Sequence, residues 1–324
     1  MVSSTKKDLK RNNHTVPRSY LERFAGEFKQ VFRLRLEDGI CKPEPIKRST
    51  VVKNFYLMED TAGQWSDAAE DAFGVIENGG IQAIRKAVDD RRWPLPDDHR
   101  AALSAWVALQ YVRVPAIRQG ADEVADFILK LSVAVNGKPR IRQVLAERLG
   151  RSPTDEEVEA QWENLTDFDS YKVKQHPNKH LKLINELVPK VAGHFYNSAW
   201  WICRFENDAL LTADCPVALV PRDGVEGNGV GLATAQMFLV PLDRRAGLVI
   251  QNYAGLDREL PASPEIAHSF NQQLVLNAHR SVFHHPDDQP LKGLHIPKPR
   301  ISEISIGADL EQFLMPDGWR GGNS

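Results

Sequence analysis

The chain has 324 residues, of which 42% are hydrophobic and 26% charged, so it can bury a large core in one domain or in two. Its 41 basic and 43 acidic side chains leave a formal net charge of −2, which excludes a whole-chain field that would recruit nucleic acid, a membrane or an acidic substrate. Three widely spaced cysteines without a C-x-x-C pair argue against a disulfide framework and a zinc knuckle.

The N-terminal segment, residues 1–13, is polar and basic and lacks the apolar run of a secretory signal. No stretch of the chain reaches the roughly 20 apolar residues of a membrane-spanning helix. We therefore expect a cytoplasmic protein without membrane contact. In it, residues 1–13 form a disordered basic arm, residues 14–306 a single domain and residues 307–324 a C-terminal tail.

The first half of the chain begins with short elements and then turns helical. Residues 14–24 are typical of a short helix with Pro17 in its first turn. Alternating apolar and basic residues at 32–36 predict the first strand of a hairpin, and a proline-containing second strand at its edge. Helical spacing then predicts seven helices, at residues 66–78, 81–91, 97–119, 122–135, 140–149, 154–164 and 178–196.

The second half reads mainly as strands. Period-two patterns predict them at residues 200–205, 210–212, 217–220, 237–240 and 247–251. A glycine-rich, mobile loop is expected at residues 224–231, and one long helix is predicted to start after Ser263 and to run to about Phe283. A last strand is expected at residues 301–306. The fold class is therefore α+β, with an N-terminal hairpin, a central helical bundle and a C-terminal, mostly antiparallel sheet with one long helix.

The helix predicted at residues 97–119 carries polar side chains in its apolar stripe. Gln110 lies at the centre of the stripe, and Arg113 lies at its edge one turn on. Because a buried amide without a hydrogen bond costs roughly 1–3 kcal/mol, Gln110 must meet a polar neighbour, a buried water or a ligand. Gln110 and Arg113 either form a structural network that locks helices together or bind substrate, with Arg118 as a further cation.

Four side chains are candidates for acid–base chemistry. Glu70 and Glu77 share one flank of their helix, and Glu77 lies at the edge of burial, where it can pair with Arg113 or act as a general base. Flanking glutamates are otherwise solvated. His14 precedes a helix start, and Asp214 ends a strand, where it is either catalytic or an Asx-turn residue.

The last predicted helix repeats the combination of amide and arginine. Asn271 and Asn277 fall within or beside its apolar stripe, and Arg280 follows on the flank. We therefore expect these three side chains to face Gln110 and Arg113 across a shared cleft and to bind substrate there.

Common catalytic and cofactor motifs are absent from the sequence. It contains no phosphate-binding glycine loop, dinucleotide fingerprint, serine-hydrolase elbow or kinase signature. No spacing of histidine, cysteine or carboxylate residues supports a metal site. We predict no metal and no cofactor.

Six short motifs follow one another in the chain: His14-x-Val16-Pro17-x-x-Tyr20-Leu21-x-x-Phe24, Asn54-Phe55-Tyr56, Gln110-x-x-Arg113-x-Pro115, Thr212-x-Asp214-x-Pro216, Pro241-Leu242 and Asn277-Ala278-x-Arg280. Together they resemble the bacterial domain of unknown function family 4238 over residues 14–283. The resemblance implies one domain over most of the chain and assigns no activity. Cys215 replaces the asparagine usual in the family at this turn.

Two functions follow as hypotheses. The first is a hydrolase or nuclease-like phosphodiesterase that acts on an anionic small molecule or a nucleic acid, with His14, Glu77 and Asp214 as catalytic residues. The second is a non-catalytic binding or regulatory module whose buried polar groups are structural and whose loop at residues 224–231 and basic arm contact a partner. Convergence of His14, Glu77, Arg113 and Asp214 on one open pocket would favour the enzyme.

Overall fold

The computed structural model describes residues 9–60, 63–222 and 230–299. Seven α-helices and several mostly antiparallel sheets in these ranges confirm the α+β class. The predicted strand at residues 301–306 and the predicted tail lie outside the described residues, as does most of the glycine-rich loop. None of the described helices combines the length and apolar character needed to cross a bilayer.

The chain divides into two compact units, which in the described ranges comprise residues 9–117 with 177–299 and residues 118–176. The single domain expected at residues 14–306 stays a prediction. Asn12 and Asn13, which the sequence analysis placed in a disordered arm, are part of a strand.

The first unit contains β1 (Asn12–His14), α1 (Arg18–Leu21), a 3₁₀ turn (Glu22–Phe24), β2 (Gln30–Arg35), β3 (Cys41–Pro45), β4 (Val51–Lys53), β5 (Met58–Glu59), β6 (Trp65–Ser66), α2 (Ala68–Val88) and α3 (Asp97–Val112). After two helices described below, it continues with α6 (Pro177–Tyr196), β7 (Trp200–Arg204), β8 (Thr212–Ala213), β9 (Ala218–Pro221), β10 (Ala235–Asp243), β11 (Ala246–Gln251), β12 (Arg258–Leu260), α7 (Pro264–Asn277) and β13 (Ser281–His284).

The second unit contains most of α4 (Pro115–Leu149) and all of α5 (Asp155–Thr166). Gly137, with φ of +60°, interrupts α4 where the sequence predicted a break between two helices. Helix α5 starts with a capping box, in which Thr154 and Glu157 satisfy each other's backbone N–H groups.

Two sheets organise the first unit. The larger has the strand order β12-β7-β11-β10-β9, and only the β12–β7 pairing in it is parallel. The smaller has the order β3-β2-β13-β8, so the hairpin of β2 and β3 is present and β3 is an edge strand, as the sequence indicated. Strand β1 pairs with β4, which fixes His14 opposite Val51.

Helices α2, α3 and α6 pack into one core cluster with the inner side chains of the larger sheet. Gly80 allows α2 to approach α3, because a Cβ atom at Gly80 would lie 2.3 Å from Cγ of Trp106. The helices predicted at residues 66–78 and 81–91 are therefore one helix, and the double glycine that suggested a break is a contact point.

Two predicted helix ends were wrong. The helix predicted at residues 97–119 ends at Val112, and Pro115 starts the next helix, where its missing N–H carries little cost. The last helix ends at Asn277, because the backbone N–H groups of residues 279–281 donate to Asp214 and the chain continues as β13. Arg280 and Ser281 are thus not helical.

Candidate functional site

The centre of the site is a buried arginine between α2 and α3. Arg113 has no solvent exposure and caps the C-terminal end of α3. Its Nη1 atom donates a hydrogen bond to Oε1 of Glu77 at 2.5 Å, and its Nη2 atom donates to Oε1 of Gln110 at 3.2 Å. Gln110 itself is fully buried. The predicted pairing of Glu77 with Arg113 is present, and it links the core of the unit to the flank of α2.

Arg113 stays protonated although it is buried. Burial lowers the pKa of Arg113, but the nearby acidic groups, among them Glu77 and Glu70, outweigh it, so that this pKa is raised overall. Burial raises the pKa of Tyr56, which keeps its phenol neutral at this position. The network therefore holds one ion pair, between Arg113 and Glu77, beside a neutral hydroxyl.

Several buried donors in this region lack an acceptor among the described residues. They are the Tyr56 hydroxyl, Trp106 Nε1, Gln110 Nε2 and Arg113 Nε. Three of them belong to one face of α3, since positions 106, 110 and 113 are separated by four and three residues. The side chains on this face of α3 therefore carry polar groups although they are packed in the interior.

Glu77 reaches a surface cleft of about 370 Å³. Its lining residues come from β1, α1 with its flanking turns, and α2: His14, Pro17, Arg18, Ser19, Glu22, Glu70 and Glu77. The cleft thus joins an imidazole, three carboxylates and a guanidinium. It lies within the first unit.

His14 is held in one tautomer by the backbone. Its Nδ1 atom lies 3.1 Å from the carbonyl oxygen of Ser49, and because a carbonyl only accepts, Nδ1 carries the proton. Nε2 then holds the lone pair. Burial lowers the pKa of His14 below its usual 6.5, and the charge of Arg18 lowers it further, against opposing effects of the Ser49 carbonyl and of Glu77. The imidazole is therefore neutral at neutral pH.

Glu70 is held in place by Asn13, which also binds the backbone of residues 55 and 56. Asn13 Nδ2 donates to Oε2 of Glu70 at 3.0 Å, while Asn13 Oδ1 accepts from the backbone N–H groups of Phe55 and Tyr56. Burial raises the pKa of Glu70, and the charge of Glu77 adds to this rise. The Asn54-Phe55-Tyr56 motif thus anchors the strand that carries His14 beside α2.

Arg18 is the exposed cation of the cleft. It forms no ion pair in the part of the chain that the structure describes, whereas Arg113 is sealed and paired. The sequence pattern pointed to Arg113, Arg118 or Arg280 as the anion-binding residue and gave no role to Arg18, Asn13 or Tyr56. Position 18 directly follows Val16-Pro17, so the motif that contains His14 also marks it.

The four groups whose convergence would favour the enzyme are not all together. His14 and Glu77 line the cleft with Arg113 behind them, but Asp214 does not line it. Asp214 accepts hydrogen bonds from the backbone N–H groups of His279, Arg280 and Ser281 at 2.8 to 3.1 Å. Burial raises the pKa of Asp214 against these three donors. Its geometry is that of a carboxylate that caps the end of α7.

Asn271 and Asn277 act as clamps between α7 and the neighbouring backbone. Asn271 binds the N–H of Leu211 and the carbonyl of Ala209, and Asn277 binds both backbone groups of Leu219. The buried apolar side chains of α7 belong to the second core cluster, whereas those of α3, which carries Gln110, belong to the first. Asn271 and Asn277 therefore bind backbone groups beside α7 and do not face Gln110 across the expected cleft.

The remaining two predicted arginines also lie apart from the cleft lining. Arg280 is exposed and contributes its backbone N–H to Asp214. Arg118 begins the second unit. Among the described residues, no group of three or more histidine, cysteine or acidic side chains has an arrangement that could hold a metal ion.

Comparison with known proteins gives one match. A family model described as protein of unknown function (DUF4238) matches residues 12–288, in agreement with the resemblance carried by the six motifs. No curated protein and no solved structure matches the chain. The chemistry of the cleft must therefore be argued from its own residues.

Proposed function

As the chain belongs to the family of proteins of unknown function DUF4238, which brings no activity with it, we propose its function from the cleft alone. We propose a hydrolase that cleaves an ester or phosphodiester bond by general acid–base catalysis. The observation that carries this proposal is the tautomer of His14, whose lone pair at Nε2 is set by the Ser49 carbonyl in a cleft shared with Glu70, Glu77 and Arg18.

The reaction needs one base and one acid. Nε2 of His14 takes a proton from a water molecule while the water oxygen attacks the phosphorus or carbonyl carbon. The bond from that atom to the leaving oxygen breaks, and Glu70, whose pKa is raised by burial, gives its proton to the leaving oxygen. One water is consumed, and the products are an acid and an alcohol.

Glu77 stabilises the imidazolium that forms on His14. Its negative charge already raises the pKa of His14, and the ion pair with Arg113 fixes the carboxylate in place. Gln110 holds the second arm of Arg113. Arg113 and Gln110 are then positioning residues, because a fully buried guanidinium cannot touch a substrate in the cleft.

Arg18 binds the anionic part of the substrate. Because Arg18 forms no ion pair among the described residues, no ion pair has to break when it binds a phosphate or a carboxylate. The substrate is therefore an anionic small molecule or the end of a nucleic acid. The cleft, with a volume of about 370 Å³, holds only part of such a substrate. We propose a cytoplasmic location as part of this function, because the three cysteines form no disulfide with one another among the described residues.

The non-catalytic module is the second candidate. The sealed network of Gln110, Arg113 and Glu77 favours it, since the same contacts lock α2 to α3 whether or not the cleft is catalytic. Both candidates predict loss of stability when Arg113 is changed. Only the enzyme predicts loss of turnover when His14 is changed.

The test is hydrolysis of a panel of phosphodiesters, nucleotides and carboxylic esters by wild type, His14→Gln and His99→Gln. The amide of glutamine fits the cleft but cannot accept a proton, so we expect His14→Gln to lose about 10²- to 10⁴-fold in kcat. His99, which lies outside the cleft lining, serves as the matched control and should keep wild-type turnover. Equal turnover by wild type and His14→Gln, or no turnover by wild type, would leave the module as the better account.

A further inference from the structure

A second cleft of the first unit, separate from the one with His14, is lined by three arginines. Its volume is about 660 Å³, within the range of small-molecule sites. Arg91, Arg204 and Arg245 face Glu206 and Glu259 around it, so the guanidinium groups outnumber the carboxylates. Leu260 and Phe205 add apolar surface.

Two of these arginines are held in place by contacts within the unit. Arg204 donates from Nη2 to the carbonyl of Ala87 and from Nε to Glu259, both at 2.8 Å. Arg245 donates from Nη1 to the carbonyl of Asn207 at 2.8 Å and from Nη2 to Asp288 at 3.2 Å. Neither guanidinium has to be ordered anew when a ligand arrives, which reduces the entropic cost of binding.

Arg91 stands where the backbone favours glycine. It follows the end of α2 with φ of +52°, in the left-handed region, and the N–H of Arg92 next to it bonds to the carbonyl of Lys86 at 3.0 Å. Helices commonly end with glycine in this conformation, because a side chain there is strained. Arg91 adopts this strained conformation, and its exposed guanidinium forms no ion pair in the described ranges.

We propose that this cleft binds a small molecule that carries phosphate groups on a partly apolar body. A phosphate offers three acceptor oxygens and can engage several guanidinium groups at once, and the apolar lining suits a body such as a nucleoside. The site is independent of the proposed hydrolase. Its failure would leave that proposal untouched.

The test is isothermal titration calorimetry with ADP and inorganic pyrophosphate at constant ionic strength, with adenosine as the uncharged comparison. Wild type should bind ADP more tightly than pyrophosphate, and adenosine weakly or not at all. Arg91→Gly removes one guanidinium and fits the left-handed backbone, so the fold is retained while the Kd for ADP rises about tenfold or more, the equivalent of one charge-assisted hydrogen bond.

The matched control is Arg92→Gln, which removes the same charge one residue away and outside the cleft lining. We expect its Kd for ADP to stay within about twofold of wild type, because Arg92 does not line the cleft and its exposed charge acts on a ligand only through solvent. No binding of ADP or pyrophosphate by wild type at millimolar concentration would overturn the proposal. An equal rise of the Kd for ADP in both variants would also overturn it, since that result would indicate non-specific electrostatic attraction.

Discussion

Arg113 and Glu77 form an ion pair across the boundary between core and cleft. The arginine side chain has no solvent exposure, while 24% of the glutamate side chain remains exposed. A buried charge is costly unless it is paired and hydrogen-bonded, so α2 can present Glu77 to the cleft only while Arg113 remains behind it. The pair therefore serves stability and the geometry of the cleft together.

The first prediction concerns this pair. Glu77→Gln should lower the free energy of unfolding by about 3 kcal/mol, because it leaves the charge of Arg113 buried without compensation. Urea unfolding measures the change. Glu22→Gln is the matched control in the same cleft, since Glu22 lies 3.8 Å from the exposed Lys29 and its loss should cost less than about 0.5 kcal/mol. Equal effects of both variants would contradict the assigned role of Arg113.

The second prediction concerns two glycines of α2. Gly80→Ala should destabilise the protein by about 2 kcal/mol or more, because its methyl group would overlap the Trp106 ring. Gly74→Ala should instead stabilise it by about 0.5–1 kcal/mol, since nothing lies within 4 Å of the added Cβ and alanine favours a helix. Opposite shifts of Tm in thermal unfolding are expected. An unchanged or raised Tm in Gly80→Ala would mean that α2 does not pack on α3 as described.

The third prediction separates capping from catalysis at Asp214. Asp214→Asn replaces one of the two accepting carboxylate oxygens by an NH2 group, which faces one or two of the three backbone donors of residues 279–281, and should cost about 2 kcal/mol. Below the melting temperature, its hydrolytic activity should equal that of wild type. Asp169→Asn, at an exposed position, is the control and should change stability by less than about 0.5 kcal/mol. Full stability with lost activity would return Asp214 to the catalytic role that the sequence suggested.

The fourth prediction is a dependence of stability on pH. Burial lowers the pKa values of His14, His284 and His285 below 6.5, so the folded state binds fewer protons than the unfolded state below that pH. Their contribution to stability is present above pH 6.5 and is lost as the pH falls through 6.5 towards the folded pKa values. Urea unfolding at about pH 7.5 and about pH 5.5 should show the loss.

His284→Gln isolates part of this effect. The raised pKa values of Glu70 and Asp214 act in the opposite direction at lower pH, so the comparison of variant with wild type is needed. The His284 ring stacks on Phe32 with a centroid distance of 5.7 Å, and it is buried. The variant should lose less stability on acidification than wild type does. An identical or a larger loss would contradict burial as the cause.

Local pattern was sufficient to predict the fold class and part of the site. Helical periodicity placed Gln110 in an apolar stripe and Glu77 at the edge of burial, and both positions hold in the structure. The Ser263 cap with Pro264 likewise marked the start of α7. Each of these features depends on neighbours within a few residues in the chain.

The remaining features depend on contacts between distant parts of the chain. Asp214 ends α7 through residues 65 to 67 positions away, which no local pattern encodes. Asn271 and Asn277 read as buried amides, but their partners are backbone groups about 60 positions away, so burial alone could not tell a structural clamp from a binding group. Arg18 was missed because an exposed arginine on a short helix has no unusual sequence pattern.

The central claim is that His14 is a neutral base whose pKa is lowered by burial and further adjusted by Arg18 and Glu77, and an NMR titration of the His14 ring in wild type, Glu77→Gln and Arg18→Gln tests it most directly. We predict a wild-type pKa below 6.5, a lower value in Glu77→Gln and a higher value in Arg18→Gln, because Glu77 raises and Arg18 lowers this pKa. A wild-type value at or above 6.5, or one that neither substitution moves, would contradict the account.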